Sequence, residues 1–364
     1  MTGAQIIVLA TPVFLLLIAL EYAVGRARGR NTYRLNDTLN SIGLGVMSQV
    51  TGVFGKLLRI GMYTLVFEHV AITRLPADAL WVWLFALLFY DFCYYGLHRA
   101  GHRVAVLWAA HAVHHQSEDY NLGTALRQTS SGFLLGWLFY VPMAIVGVPP
   151  LVFGVVALID LLYQYWVHTQ QIGKLGRFDR WFCSPSNHRV HHAVNDHYLD
   201  KNYGGILIVW DRLFGTFKEE DDAEPIVYGT RAPLRSWNPL WANLQVYRDL
   251  VLDSWRAASW ADKLRVWIKP PGWRPADVAA RWPKTAFDLA QVQRYDPPAS
   301  RRALWTAAVL FMAVLGATSG FLWFAHRLSL AEQLMGAGAI VALLWLIGLL
   351  TQPRAQTARG VLAA

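Results

Sequence analysis

Cysteine is scarce: the 364 residues hold two, Cys93 and Cys183. Two thiols this far apart make neither a disulfide framework nor a zinc ribbon, so both read as free thiols in a buried or reducing setting. The chain has no internal repeat and no low-complexity segment, which sets aside solenoids and arrays. No basic helix or basic–aromatic patch accompanies the net charge of +9, so the basic balance does not point to nucleic acid. The first apolar run lacks a basic leader and a clear small-residue cleavage site, and reads as an anchor and not as a cleaved signal.

What the chain has in excess is apolar sequence. Its residues are 55% hydrophobic, with 17 Trp, and the mean hydropathy is positive. That is too apolar for an ordinary soluble domain and points to a membrane protein. Seven runs are candidate spans: 5–24, 41–67, 80–97, 131–146, 151–167, 303–324 and 334–350. Arg26, Arg28, Arg30 and Arg34 follow the first run and place that loop on the cytoplasmic side; Arg354 and Arg359 follow the last. Lys56 and Arg59 inside the second run predict a kink or tilt. Gly147, Val148, Pro149 and Pro150 break the fourth run from the fifth, so that pair reads as a hairpin dipping into the membrane. Arg127 reads as a cytoplasmic anchor, and residues 219–224 as a solvated acidic run.

The expected fold is therefore all-α: a polytopic membrane bundle of about seven spans with a cytoplasmic His-rich cap. Four stretches follow. Residues 1–79 hold the first spans and 80–225 the histidine region with its hairpin. Residues 226–300, rich in Trp, Pro and Arg, read as an interfacial segment or a packed cap, and 301–364 as a last hairpin and tail.

Nine of the twelve histidines are patterned. His98 and His102 are four apart. His111, His114 and His115 repeat the spacing of His188, His191 and His192, and His168 lies between. On a helix, residues three and four apart share a face, so each group aims two or three imidazoles at one point. Imidazole is the commonest metal ligand. Nine are too many for one ion and suit two ions with four or five each. Spacing alone leaves iron and zinc both open.

Other polar residues are placed to assist. Asp91 lies two helical turns before His98; it either orients a histidine or pairs with backbone or an arginine. Glu118, just past the second cluster, either accepts from a ligand's free ring N–H, contacts substrate, or caps a helix. Gln164, four before His168, is a weak candidate ligand or a hydrogen-bond partner. Asn195 and His197 follow the third cluster as candidate outer contacts or extra ligands; the plainer reading of His197 is a solvated side chain. Trp137, Tyr140, Tyr163, Tyr165 and Trp166 either line a lipid channel or pack as an aromatic belt.

The three histidine motifs on a membrane scaffold resemble the fatty acid hydroxylase and sterol desaturase superfamily of di-iron membrane enzymes. His111 to Gln128, HAVHHQSEDYNLGTALRQ, and Asn187 to Phe217, NHRVHHAVNDHYLDKNYGGILIVWDRLFGTF, are similar to the alkylglycerol branch. The resemblance covers roughly residues 80 to 300. It implies that all nine histidines hold two irons, that Glu118 is a functional acid, and that O2 is a co-substrate. It implies an electron donor, tetrahydrobiopterin in that branch's animal enzyme. Seven spans and the arginine-rich loop after the first put the histidine clusters on the cytoplasmic face, on the inner membrane in a bacterium, where a lipid substrate can enter from the bilayer. Gln164 departs from the pattern, standing where several members carry a further histidine. The reaction implied is C–H hydroxylation, next to an ether oxygen in the closer branch. The alternatives are sterol, carotenoid or fatty acyl hydroxylation or desaturation, a zinc-dependent membrane hydrolase, and a membrane protein with a purely structural metal site.

Overall fold

A computed structural model describes residues 3–352. Arg354 and Arg359 lie outside the described residues, as do the side chains of Lys56 and Arg59. The helices are α1 (Gly3–Ala27), α2 (Leu35–Lys56), α3 (Met62–His69), α4 (Leu80–Arg103), α5 (Ala105–His115), α6 (Leu122–Ala125), α7 (Val141–Val146), α8 (Pro150–Trp166), α9 (Pro185–His191), α10 (Val209–Leu213), α11 (Pro239–Arg256), α12 (Trp260–Ile268), α13 (Ala276–Arg281), α14 (Arg301–Phe324) and α15 (Leu330–Thr351). Among the described residues there is no β-strand, only two isolated bridges. The fold is the all-helical membrane bundle that the apolar runs predict.

Four helices, α1, α4, α14 and α15, are long and apolar enough to cross a membrane. The other expected spans are interrupted, which leaves the count of seven approximate. Residues 41–67 are split by a π-helical turn at Leu57–Gly61. Residues 131–146 form two 3-10 turns, Gly132–Leu134 and Gly136–Tyr140, before α7 begins. Helix α8 has 17 residues and rises about 25 Å, short of a hydrocarbon core of about 30 Å. The α7–α8 hairpin does form. Gly147 makes its turn at φ +99°, where a Cβ would lie 2.1 Å from the Thr73 carbonyl oxygen, so no other residue fits. Pro149 and Pro150 then start α8 with φ preset.

Two apolar cores result. In one, Ile18, Ile42, Val46, Phe311, Val314, Ile340 and Leu344 bring both ends of the chain together through α1, α2, α14 and α15. In the other, Tyr63, Tyr90, Tyr140, Met143 and Val152 pack α3, α4, α7 and α8. Within residues 239–281, Ala242 of α11 is buried with Val113 of α5, while Trp255, Trp260, Leu264 and Ile268 are exposed.

Two readings of charged residues are corrected. Arg127 is not a surface anchor; it is 1% exposed. Its guanidinium donates to the Val113 carbonyl, Asn40 Oδ1, Ser41 Oγ and Gln116 Oε1. The acidic run is not wholly solvated, because Glu220 takes a two-pronged ion pair from the buried Arg189 at 2.8 and 2.7 Å. Asp222 pairs with Lys174 and Glu224 accepts from Asn195 as well, and a run of like charges carries no sequence mark of which members find partners. The free cysteines Cys93 and Cys183 are both buried.

Candidate metal centre

All nine patterned histidines converge, in two adjacent groups. His98, His102, His111, His115 and His191 form one; His114, His168, His188 and His192 form the other. Within each, one ring nitrogen per residue lies within 4.8 Å of all the others.

Helical phase explains the partition. On α5, His111 and His115 are one turn apart and enter the five-membered group, while His114 turns aside into the four-membered one. At α9 the assignment is reversed: His188 and His192 enter the four-membered group and His191 the five-membered. The repeated H-x-x-H-H motif thus exchanges single residues between the groups. His98 and His102 at the end of α4 complete the first, and His168 just after α8 completes the second. The chain is built locally for this. Val104 is extended and separates α4 from α5, so their histidines meet. Ser184 caps α9, accepting from Asn187 N, and Pro185 opens it. Arg189, held by Glu220 and by the carbonyls of Thr169 and Ile172, anchors α9 from behind.

The imidazoles are oriented by main chain. Nδ1 of His98 donates to the Tyr203 carbonyl (2.8 Å), His191 to Lys201 (3.0 Å), His114 to Arg127 (2.8 Å) and His168 to Gln164 (2.8 Å). A carbonyl only accepts, so each of these rings carries its proton on Nδ1 and turns a bare Nε2 inward. Yet His114 Nε2 and His168 Nε2 are 3.1 Å apart. Two neutral lone pairs at that distance repel, unless a cation lies between them. Other Nε2 pairs are similar: His98–His111 at 3.1 Å, His111–His115 at 3.0 Å, His115–His191 at 3.2 Å, His168–His188 at 3.1 Å. Ligand atoms about 2.1 Å from one ion are about 3.0 Å apart in an octahedron and about 3.4 Å in a tetrahedron. His102 Nε2 and His192 Nε2 are buried without any protein partner.

Electrostatics favours a metal over a proton. Burial, with the neighbouring imidazoles adding to it, holds His111, His115, His188, His191 and His192 well below the ordinary histidine range. Burial takes His114 down to about 4. All stay neutral at physiological pH, which is the form that binds metal. An all-nitrogen donor set with no carboxylate fits iron, zinc, copper or nickel.

The remaining candidates fall outside the histidine groups. Asp91 takes the backbone alternative: it accepts from Ile206 N (2.7 Å), Leu207 N (3.1 Å) and Trp210 Nε1 (2.8 Å). Gln164 turns its amide away, accepting from Tyr94 Oη and donating to Asp160 Oδ2, both at 2.6 Å; its main-chain oxygen, not its side chain, serves His168. Glu118 accepts from Tyr295 N and makes no hydrogen bond to a histidine. Asn195 clamps residues 224–227 through Glu224, the Pro225 carbonyl and Val227 N. The side chain of His197 is 74% exposed and pairs with Glu224, away from both groups. The carboxylate that does approach the cluster is Asp200, 3.7 Å from His102 Nδ1 and 3.2 Å from Arg103. Its positive φ, 58°, turns it inward; Asp in a turn-rich stretch was the one available signal. Tyr120, fully buried with its ring on His168 and its hydroxyl on the Val167 carbonyl, also went unnoticed in sequence.

A cavity of about 320 Å³ opens on this centre. His111, His114 and His168 form part of its wall, and most of the rest comes from α1, α2, α4, α8 and α14, with Ala125, Leu126, Gln128 and Tyr140. Of the expected aromatic liners, Tyr140 and Tyr165 face it. Trp137, Tyr163 and Trp166 do not: they bond to the Leu134 carbonyl, bond to the Cys183 carbonyl and pack on Phe178 respectively. Among the described residues no lysine or arginine lines the cavity.

Fold and site together define an integral membrane protein with paired, buried histidine sites beside an apolar cavity. The sequence pattern of the fatty acid hydroxylase family matches residues 83–216. Alkylglycerol monooxygenase of Xenopus tropicalis is 34% identical over 350 residues, 96% of this chain and 78% of that protein. The human protein of the same name is 40% identical over 267 residues, 73% of this chain and 59% of its own length; that of Danio rerio is 39% identical, also over 73% and 59%. The chain belongs to the fatty acid hydroxylase family and groups with its alkylglycerol monooxygenases. It spans about three fifths of the human and Danio rerio relatives it matches. No solved structure matches it.

Proposed function

We propose that this protein is a membrane-bound non-haem di-iron monooxygenase that uses O2 to hydroxylate a C–H bond of a lipid. The relatives' name suggests the position: the carbon beside an ether oxygen, giving a hemiacetal that falls apart to an aldehyde and a glycerol lipid. The observation that carries this is the pair of inward-facing bare nitrogens, His114 Nε2 and His168 Nε2, on the wall of an apolar cavity.

Five histidines would hold one iron and four the other; when bound, the metals supply reductive activation of O2 and the oxidising power for an unactivated C–H bond. The chain's own residues do the rest. Carbonyls of Tyr203, Lys201, Arg127 and Gln164 fix the ring tautomers. The cavity excludes water and seats an alkyl chain, its volume lying in the range of small-molecule sites of about 300–1,000 Å³. Without a lining cation it suits an uncharged portion of the lipid. Glu118 is retained as a functional acid, seating the segment at Tyr295. The electron donor is a reduced pterin or a redox protein, and the catalytic face is cytoplasmic.

The test is anaerobic purification with metal quantitation, then addition of O2 and an alkylglycerol under mass spectrometry. Two irons per chain and an O2-dependent chain-length aldehyde are expected. Zinc alone, with turnover in the absence of O2, would replace this reading with a hydrolase. An oxygenated or desaturated sterol, carotenoid or acyl product would keep the chemistry and change the substrate.

A further inference from the structure

Beside the histidines lies a pair of carboxyl groups that the proposed chemistry does not use, one of which, Asp160, belongs to the cavity wall. Asp91 of α4 and Asp160 of α8 are 0% and 2% exposed. They share a small space closed by Gly205, where a Cβ would lie 3.0 Å from Asp91 Oδ1, 2.9 Å from Asp160 Oδ1 and 2.8 Å from the Tyr94 ring. Among the described residues no lysine, arginine or histidine forms an ion pair with either. Two anions so placed in a dry interior cannot both persist; one proton must be shared.

The surrounding donors say where it sits. Both oxygens of Asp91 accept from N–H groups, three in all. Asp160 accepts one, from Gln164 Nε2 to Oδ2. Its Oδ1 is buried and has no protein donor. Three donors stabilise the anion at Asp91, and the oxygen left bare at Asp160 is the place for the hydrogen.

We propose that Asp160 is a carboxylic acid donating to an Asp91 carboxylate, and that this acid–anion pair is a latch joining the supports of the two metal sites. On one side Asp91 grips Ile206, Leu207 and Trp210, anchoring the stretch whose Lys201 and Tyr203 carbonyls orient His191 and His98. On the other, Asp160 fixes Gln164, whose carbonyl orients His168. The shared hydrogen couples the supports of the five-nitrogen group to those of the four-nitrogen group, beside the ring contacts that the groups make directly, such as His115 on His192. Both aspartates are positioning residues. The inference rests on the histidines being metal sites, whereas the location of the proton does not.

An asymmetry between isosteric variants tests it in the full-length protein. In Asp160→Asn the amide still donates to Asp91 and accepts from Gln164, so iron occupancy and the unfolding midpoint should stay at their wild-type values. In Asp91→Asn an NH2 group meets N–H donors, and in Asp160→Leu the bond is gone; affinity for iron should fall about 10- to 100-fold. Infrared difference spectra, wild type minus Asp160→Asn, should show the carbonyl band of a protonated carboxylic acid, with or without metal. If Asp91→Asn does not fold, Asp160→Asn against Asp160→Leu still decides. The latch is overturned if that band is missing, if Asp160→Asn loses iron as Asp160→Leu does, or if Asp91→Asn behaves as wild type. A wild-type protein that binds no iron, yet shows the band, would sink the proposed function and the coupling while keeping the proton on Asp160.

Discussion

Arg127 illustrates how little a residue's type says about its place. Its side chain is fully buried, and burial pushes its pKa down to about 10, so it stays charged at neutral pH. Four acceptors surround it, and its own carbonyl orients His114. Replacing it by methionine keeps the volume and strands those acceptors at about 1–3 kcal/mol each. We expect the unfolding midpoint of Arg127→Met in detergent to fall, with loss of metal from the four-histidine group; an unchanged midpoint would show the site tolerates an apolar plug. The histidines separate by group: His114→Ala should lose metal from the four-membered group first. Glu118→Ala should keep wild-type metal content, because its hydrogen bond goes to Tyr295 N, and lose activity. Equal metal loss in both variants would place Glu118 among the supports of the metal.

At the scale of elements, spacing was legible and interruption only in part. The i, i+4 pairs at His98 and His102 and at His111 and His115 predicted shared faces, and α4 and α5 supply them. Apolar runs located the long helices α1, α4, α14 and α15. The π-helical turn after α2 follows Lys56 and contains Arg59, where the charges inside the run pointed to an irregularity; the 3-10 turns before α7 carry no Pro, and an apolar run does not report them. The Gly-Val-Pro-Pro break was legible because Gly147 and Pro150 act through their own backbones. Gly147→Ala should therefore destabilise by more than the roughly 1 kcal/mol of an ordinary glycine replacement, read as a lower unfolding midpoint. Helix α14 contributes Leu315 to the cavity wall. Leu315→Trp should raise the KM for long-chain lipids with metal content unchanged, measured as turnover against chain length.

Across the whole molecule, metals held by the two histidine groups would act as staples. The candidate ligands come from α4, α5, the end of α8 and α9, so a bound metal would tie four segments together. Metal binding free energy is then also folding free energy. Removing the metals with a chelator should lower the unfolding midpoint, and readding ferrous iron anaerobically should restore it; a midpoint indifferent to metal would mean that packing alone holds the centre. The two chain ends share one core through α1, α2, α14 and α15, and helices from both ends wall the cavity.

The sequence by itself determined that the chain is helical and membrane-embedded and that nine histidines form its centre, because periodicity and apolar content act locally. Tertiary structure alone decided which imidazoles share a group, since that depends on how α5 and α9 are turned toward each other. It alone supplied the carbonyls that orient the rings, which no side-chain pattern encodes. It also decided that Asp91 grips a distant loop and Asp160, and not a histidine: a buried carboxylate goes to whichever donors the fold carries to it.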